Sequence, residues 1–150
     1  MSAAPVAPGH TGLSVTDLDR SLAFYGEVLE LDVIQTSGDA ERRYAFLGAG
    51  GRLVLTLWQQ SADPFEPRHA GLHHLAFELP SFEAVQVIEA RLRARGLTPH
   101  YDGVVPHGEG ADSAALYFSD PDGIRLEVYS PSGAAGLAAP VAAAPTCGFF

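Results

Sequence analysis

Two stretches of the chain repeat one pattern of polar and apolar positions. Residues 10–18 read His-Thr-Gly-Leu-Ser-Val-Thr-Asp-Leu, and residues 74–82 read His-Leu-Ala-Phe-Glu-Leu-Pro-Ser-Phe. Each opens with a histidine, alternates, and reaches an apolar residue (Val15, Leu79) five positions on. Alternation with a period of two predicts a half-buried strand. In both stretches the period then changes to that of a helix. Leu18, Leu22, Tyr25 and Leu29 form one stripe over about 18–29, and Phe82, Val85, Ile88 and Leu92 form another over about 82–95. Ser81 suits an N-cap, Gly96 a C-terminal stop, and Arg91, Arg93 and Arg95 the negative end of the helix dipole.

The repeat continues beyond the helices. Tyr44 to Arg52 and Tyr117 to Arg125 span the same number of positions, and Arg52-Leu53-Val54-Leu55-Thr56 runs parallel to Arg125-Leu126-Glu127-Val128-Tyr129. Each unit reads strand, helix, then three strands with glycine-rich turns, which predicts an α+β fold of two βαβββ modules, about 9–60 and 71–131. Ser61 to Ala70, with two prolines, is the expected linker. One domain over residues 1–131 is therefore expected, followed by an Ala/Gly/Pro-rich tail at 132–150. The tail is expected to be mobile, with Phe149 and Phe150 able to dock on a partner subunit or a pocket rim.

Composition narrows the function classes. Hydrophobic residues at 47% against 18% charged are globular rather than disordered. The formal charge is −9 and every basic residue is an arginine, so no basic stripe favours nucleic acid or an anionic membrane surface. Cys147 is the single cysteine, which rules out an internal disulfide. Residues 1–8 lack a signal-peptide pattern and no apolar run is long enough to span a bilayer, so a cytoplasmic protein is expected.

Strand parity brings in chemistry. Residues two apart share a face. With Leu13 and Val15 toward the first helix, His10, Gly12 and Ser14 lie on the opposite face. The same logic puts His74, Ala76 and Glu78, and then Arg125, Glu127 and Tyr129, on the face away from the second helix. If both modules close into one curved mixed sheet, a cup with the helices outside, these faces line a shared cavity. His10, His74 and Glu127 would then hold one divalent metal and leave positions open for water, oxygen or substrate. Two imidazoles and one carboxylate suit Fe(II), and also accept Mn(II), Zn(II), Ni(II) or Co(II). Val54 is read as the counterpart of Glu127, so the two halves supply one metal set and not two.

The opening His10-x-x-Leu13-x-Val15-x-Asp17-Leu18, the central Gly71-Leu72-His73-His74-Leu75-Ala76-Phe77, and Tyr117-Phe118-Ser119-Asp120-Pro121-Asp122-Gly123-Ile124-Arg125-Leu126-Glu127 together resemble the vicinal oxygen chelate superfamily over about 9–131. That family includes glyoxalase I, extradiol dioxygenases, fosfomycin-resistance transferases and bleomycin-binding proteins. The resemblance implies paired modules around a metal, bidentate chelation of a small-molecule substrate, and a homodimer. It makes His74 the ligand and turns His73 toward the helix side or the rim.

Leu116-Tyr117, Asp120-Pro121-Asp122-Gly123 and Glu127 also resemble the extradiol signature, with His107 one residue further upstream than usual. By that resemblance His107 is the acid/base and Tyr117 hydrogen-bonds the bound substrate. Ser14, Tyr44, Thr56, Trp58, Arg125 and Tyr129 are assigned to the substrate pocket. The leading expectation is an extradiol-type dioxygenase acting on a small aromatic or enol-type substrate. The alternatives are a glyoxalase-like lyase or isomerase, which normally adds a second glutamate where Val54 is read, and a drug-binding resistance protein of the bleomycin or fosfomycin type.

Overall fold

The computed structural model describes residues 4–150, which divide into two compact units, the first up to Pro64 and the second from Phe65 to Phe150. The first unit carries β1 (Thr11–Val15), α1 (Leu18–Leu29), β2 (Asp32–Thr36), β3 (Tyr44–Ala49) and β4 (Arg52–Gln59). These strands form a four-stranded mixed sheet in the order β1-β4-β3-β2, with β1 parallel to β4. Asp17 caps α1 by accepting the Arg20 N–H at 3.1 Å. The helix packs on its sheet through Leu18, Ser21, Phe24, Tyr25 and Val28, while Leu22 and Leu29 are only half-buried. The buried stripe thus keeps Leu18 and Tyr25 of the predicted one and adds Ser21, Phe24 and Val28, with Leu22 and Leu29 at its margin.

The second unit repeats the plan with β5 (Leu75–Glu78), α2 (Phe82–Ala94), β6 (Val105–Pro106), β7 (Ala114–Ser119) and β8 (Arg125–Ser130), in the order β5-β8-β7-β6. Ser81 caps α2 as predicted, and Gly96 follows it at a φ of 73°. Val85, Ile88 and Leu92 of the helix cover Leu116, Phe118, Leu126 and Val128, all buried. Each module is therefore an α+β unit with its helix on one face of the sheet. Among the described residues no helix is long and apolar enough to cross a membrane.

Residues 132–150 pack as part of the second unit. Asp112 Oδ1 accepts from the Gly133 and Ala135 N–H groups at 3.0 and 3.1 Å, and Ala134 and Thr146 are fully buried. The mobility expected from composition gives way because these small residues let the backbone lie close and use its own hydrogen bonds as anchors.

Candidate metal centre

Glu127 is the focus of the second module. Its neighbours Leu126 and Val128 are buried on the helix side, so strand alternation turns Glu127 to the other face, in register with Ala76 on β5 and Tyr117 on β7. It is nevertheless only 3% exposed. A carboxylate so buried needs cationic or hydrogen-bonding partners. Two imidazoles serve it. His74 Nε2 lies 3.1 Å from Oε2, and His107 Nε2 lies 2.5 Å from Oε1.

The other ring nitrogens are also engaged. His107 Nδ1 is 2.8 Å from Ser113 Oγ, so a neutral ring accepting the Ser113 hydroxyl can donate Nε2–H to Glu127. His74 Nδ1 meets His73 Nδ1 at 2.8 Å. Burial holds the His74 pKa below the ordinary histidine value, against the pull of the Glu127 charge. The neutral imidazole so favoured is the form that binds metals. A third donor comes from the 146–150 segment: one ligand atom each of His74, Glu127 and Cys147 lie within 4.8 Å of one another. Ligand-to-ligand edges of a tetrahedral site are roughly 3.3–3.6 Å given its bond lengths, so His74 and Glu127, at 3.1 Å, need to part by only a few tenths of an ångström to span an edge. The donor set fits a divalent cation.

Tyr117 shares this face. Its ring is fully buried, and among the described residues its hydroxyl has no hydrogen-bond partner. Burial, and then the Glu127 charge, push its pKa far above the usual phenol value. Phe150 packs on it with ring centroids 4.5 Å apart and the planes tilted by 43°, and Tyr101 meets it edge-on at 5.5 Å. Arg125 and Tyr129 lie on the same face by register. The Arg125 guanidinium sits 5.8 Å from the Phe150 ring centre, and the Tyr129 hydroxyl donates to Glu78 at 2.7 Å. His73 is exposed beside His74.

In the first module Ser14 pairs with Trp58, Tyr44 with Trp58, and Gly12 and Phe46 with Thr56. Ser14, Tyr44, Thr56 and Trp58 therefore share the face opposite buried Leu13, Val15, Leu55 and Leu57. Tyr44, Phe46 and Trp58 form an aromatic cluster with centroids 5.2–6.0 Å apart, and the Trp58 indole N–H donates to Thr56 Oγ1 at 3.0 Å. Phe46 could have been read from strand parity beside Tyr44. His10 is exposed just before β1 and borders an open hollow of about 390 Å³ with Arg52 and Val54. His74 likewise precedes β5 rather than opening it.

The register corrects one expectation. Thr11 pairs with Leu55 and Gly12 with Thr56, while Leu75 pairs with Leu126 and Ala76 with Glu127. The counterpart of Glu127 is Thr56, not Val54. The equal Tyr-to-Arg spacings hid a two-residue difference. β3 and β4 join through a tight Gly50-Gly51 turn, both at positive φ, with a bulge at Leu47/Gly48, whereas the longer 120–124 turn joins β7 and β8 without one. Phe150 docks on this face against Tyr117 and His100, whereas Cys147 and His100 were not expected there, because segments without periodicity give no sign of where their side chains fall.

The model of the Glyoxalase/Bleomycin resistance protein/Dioxygenase superfamily matches residues 7–128. A catechol-2,3-dioxygenase of Bacillus subtilis (strain 168) is 34% identical over 81% of the chain, which spans only 40% of that relative's length. A lactoylglutathione lyase of Haemophilus influenzae is 32% identical over 79% of the chain and 87% of its own. The crystal structure of a glyoxylase/bleomycin resistance protein/dioxygenase domain from Frankia sp. EAN1pec superposes with a TM-score of 0.71 at 28% identity, covering 85% of this chain and 98% of that one.

Proposed function

Because the chain belongs to the Glyoxalase/Bleomycin resistance protein/Dioxygenase superfamily, we propose that it is a metal-dependent enzyme of the vicinal oxygen chelate type, an extradiol-type dioxygenase acting on a small aromatic or enol-type substrate. The observation that carries this reading is the buried Glu127 carboxylate facing His74 Nε2 at 3.1 Å, with the Tyr117 hydroxyl, unpartnered among the described residues, on the same sheet face. His74 and Glu127 are the proposed ligands. His10 is proposed as a third from its sequence position alone, preceding β1 as His74 precedes β5. Fe(II) is the favoured ion, and Mn(II), Zn(II), Ni(II) and Co(II) also suit these donors. A divalent cation held there would supply Lewis acidity toward chelated substrate oxygens.

The chain's own groups supply the rest. The Tyr117 hydroxyl, kept neutral by burial, offers a proton to a substrate oxygen. His107 can hold or pass a proton at Nε2, with Ser113 fixing the ring from the other side. Arg125 offers positive charge at the edge of the same face. The lyase reading is weaker, since Thr56 stands where the second module has Glu127 and a threonine is no carboxylate. Oxygen uptake by the iron-loaded protein with a panel of catechols tests the proposal. Consumption that stops in Tyr117→Phe or Glu127→Ala supports it. Metal binding without oxygen uptake, together with isomerase activity on thiohemiacetals, overturns the dioxygenase assignment.

A further inference from the structure

The segment at 146–150 is fastened at two points, and Cys147 lies between them. Thr146 is fully buried. Its N–H donates to the His107 carbonyl at 2.7 Å, its hydroxyl donates to the Pro106 carbonyl at 2.8 Å, and its own carbonyl accepts from the Tyr101 hydroxyl at 3.0 Å. These three bonds fix the backbone one residue before the cysteine. On the far side Phe150 inserts its ring against Tyr117 at 4.5 Å and against His100 at 5.3 Å. A short 3-10 turn, Thr146–Gly148, links the anchors. Chain held this way does not present its thiol by accident of a flexible tail. The thiol sulfur falls within 4.8 Å of the donor atoms of both His74 and Glu127.

We propose that Cys147 is a thiolate ligand of the metal centre, adding sulfur to the nitrogen and oxygen donors of His74 and Glu127, all three carried by the second unit. The inference rests on the metal-centre reading above and extends it: the 146–150 segment contributes a soft ligand as well as covering Tyr117. The Tyr117 hydroxyl, buried on the same face and without a hydrogen-bond partner among the described residues, is a second sign that this face is built to receive a polar group. Binding releases the Cys147 proton to solvent and forms a metal–sulfur bond, with no change of oxidation state. A thiolate donor shifts preference toward Zn(II), Co(II) and Fe(II) over Mn(II).

The test is an anaerobic Co(II) titration of the reduced, metal-stripped full chain, followed by absorption spectroscopy. The expected result is visible ligand-field bands together with a near-ultraviolet sulfur-to-cobalt charge-transfer band, both saturating at one ion per chain. Since Cys147 is the only cysteine, that band has one possible source. In Cys147→Ser the visible bands should remain, the charge-transfer band should vanish, and affinity should fall by at least about tenfold, as for other changes around a metal site. Phe150→Ala, which loosens the anchor and leaves the donors intact, should weaken the charge-transfer band. Ligand-field bands without charge transfer in the wild type would overturn the thiolate ligand and leave the metal centre standing. A charge-transfer band that survives in Cys147→Ser would overturn it too. No Co(II) uptake by the wild type would overturn the metal-centre reading itself, and the thiolate with it.

Discussion

Tyr117→Phe separates a site built for a ligand from a core built for stability. The Tyr117 ring is fully buried, and its hydroxyl has no hydrogen-bond partner among the described residues. Leaving a buried hydroxyl unsatisfied costs about 1–3 kcal/mol, and Phe keeps the ring contacts with Phe150 and Tyr101 while removing that penalty. The metal-free variant should therefore be more stable by that amount, a rise of roughly 2–12 °C in melting temperature for a protein of this size. The alkaline side follows with a definite sign. The folded pKa lies above the unfolded one, so the stability linked to the neutral phenol is present below the ordinary tyrosine value of about 10 and is lost as pH rises beyond it. The gap in favour of Phe should widen there by up to about 1.4 kcal/mol per pH unit. Thermal and urea unfolding in a chelator, at neutral pH and above 10, measure both effects. The same variant should lose most catalytic turnover. A Phe variant that unfolds at or below the wild-type temperature would refute the argument, because the hydroxyl would then have a stabilising partner.

Three other outcomes follow from the same geometry. His107→Ala should weaken metal binding by roughly 10–100-fold, as expected of a group that supports a ligand, whereas His74→Ala should abolish it; isothermal titration distinguishes the two. Asp112→Ala removes the acceptor for the Gly133 and Ala135 N–H groups, so hydrogen exchange at those two amides should accelerate while α2 stays protected. Burial, and secondarily Arg125, depress the His100 pKa, so its NMR titration should fall below the ordinary histidine value. Because the unfolded chain then takes up the proton first, the associated stability is present above about pH 6.5 and is lost as pH falls through the folded pKa.

Both helices and most strands were legible in the sequence because each follows from local periodicity. α1 spans Leu18–Leu29, and α2 ends within a residue of the predicted stop, since Ser81 and Gly96 mark its ends chemically. The face carrying His74, Glu127, Arg125 and Tyr129 followed from parity alone. Non-local facts were harder. The pairing of Thr56 with Gly12 depends on a bulge and on the length of a turn, which identical residue spacings concealed. The bond from His107 to Glu127 depends on β6 pairing with β7, a two-residue strand that gives no periodic signal. Cys147 and Phe150 belong to a segment of alanine, glycine and proline. It docks through its backbone and through isolated side chains such as Thr146, so composition read it as free.

Metal content of the purified chain, set beside that of Glu127→Ala, bears most directly on the account. Elemental analysis after anaerobic loading should give one divalent ion per wild-type chain and almost none in the variant, with the far-ultraviolet circular dichroism of the two unchanged. A variant that retains one ion at wild-type affinity would contradict it, since the buried carboxylate between His74 and His107 would then have no part in holding the metal.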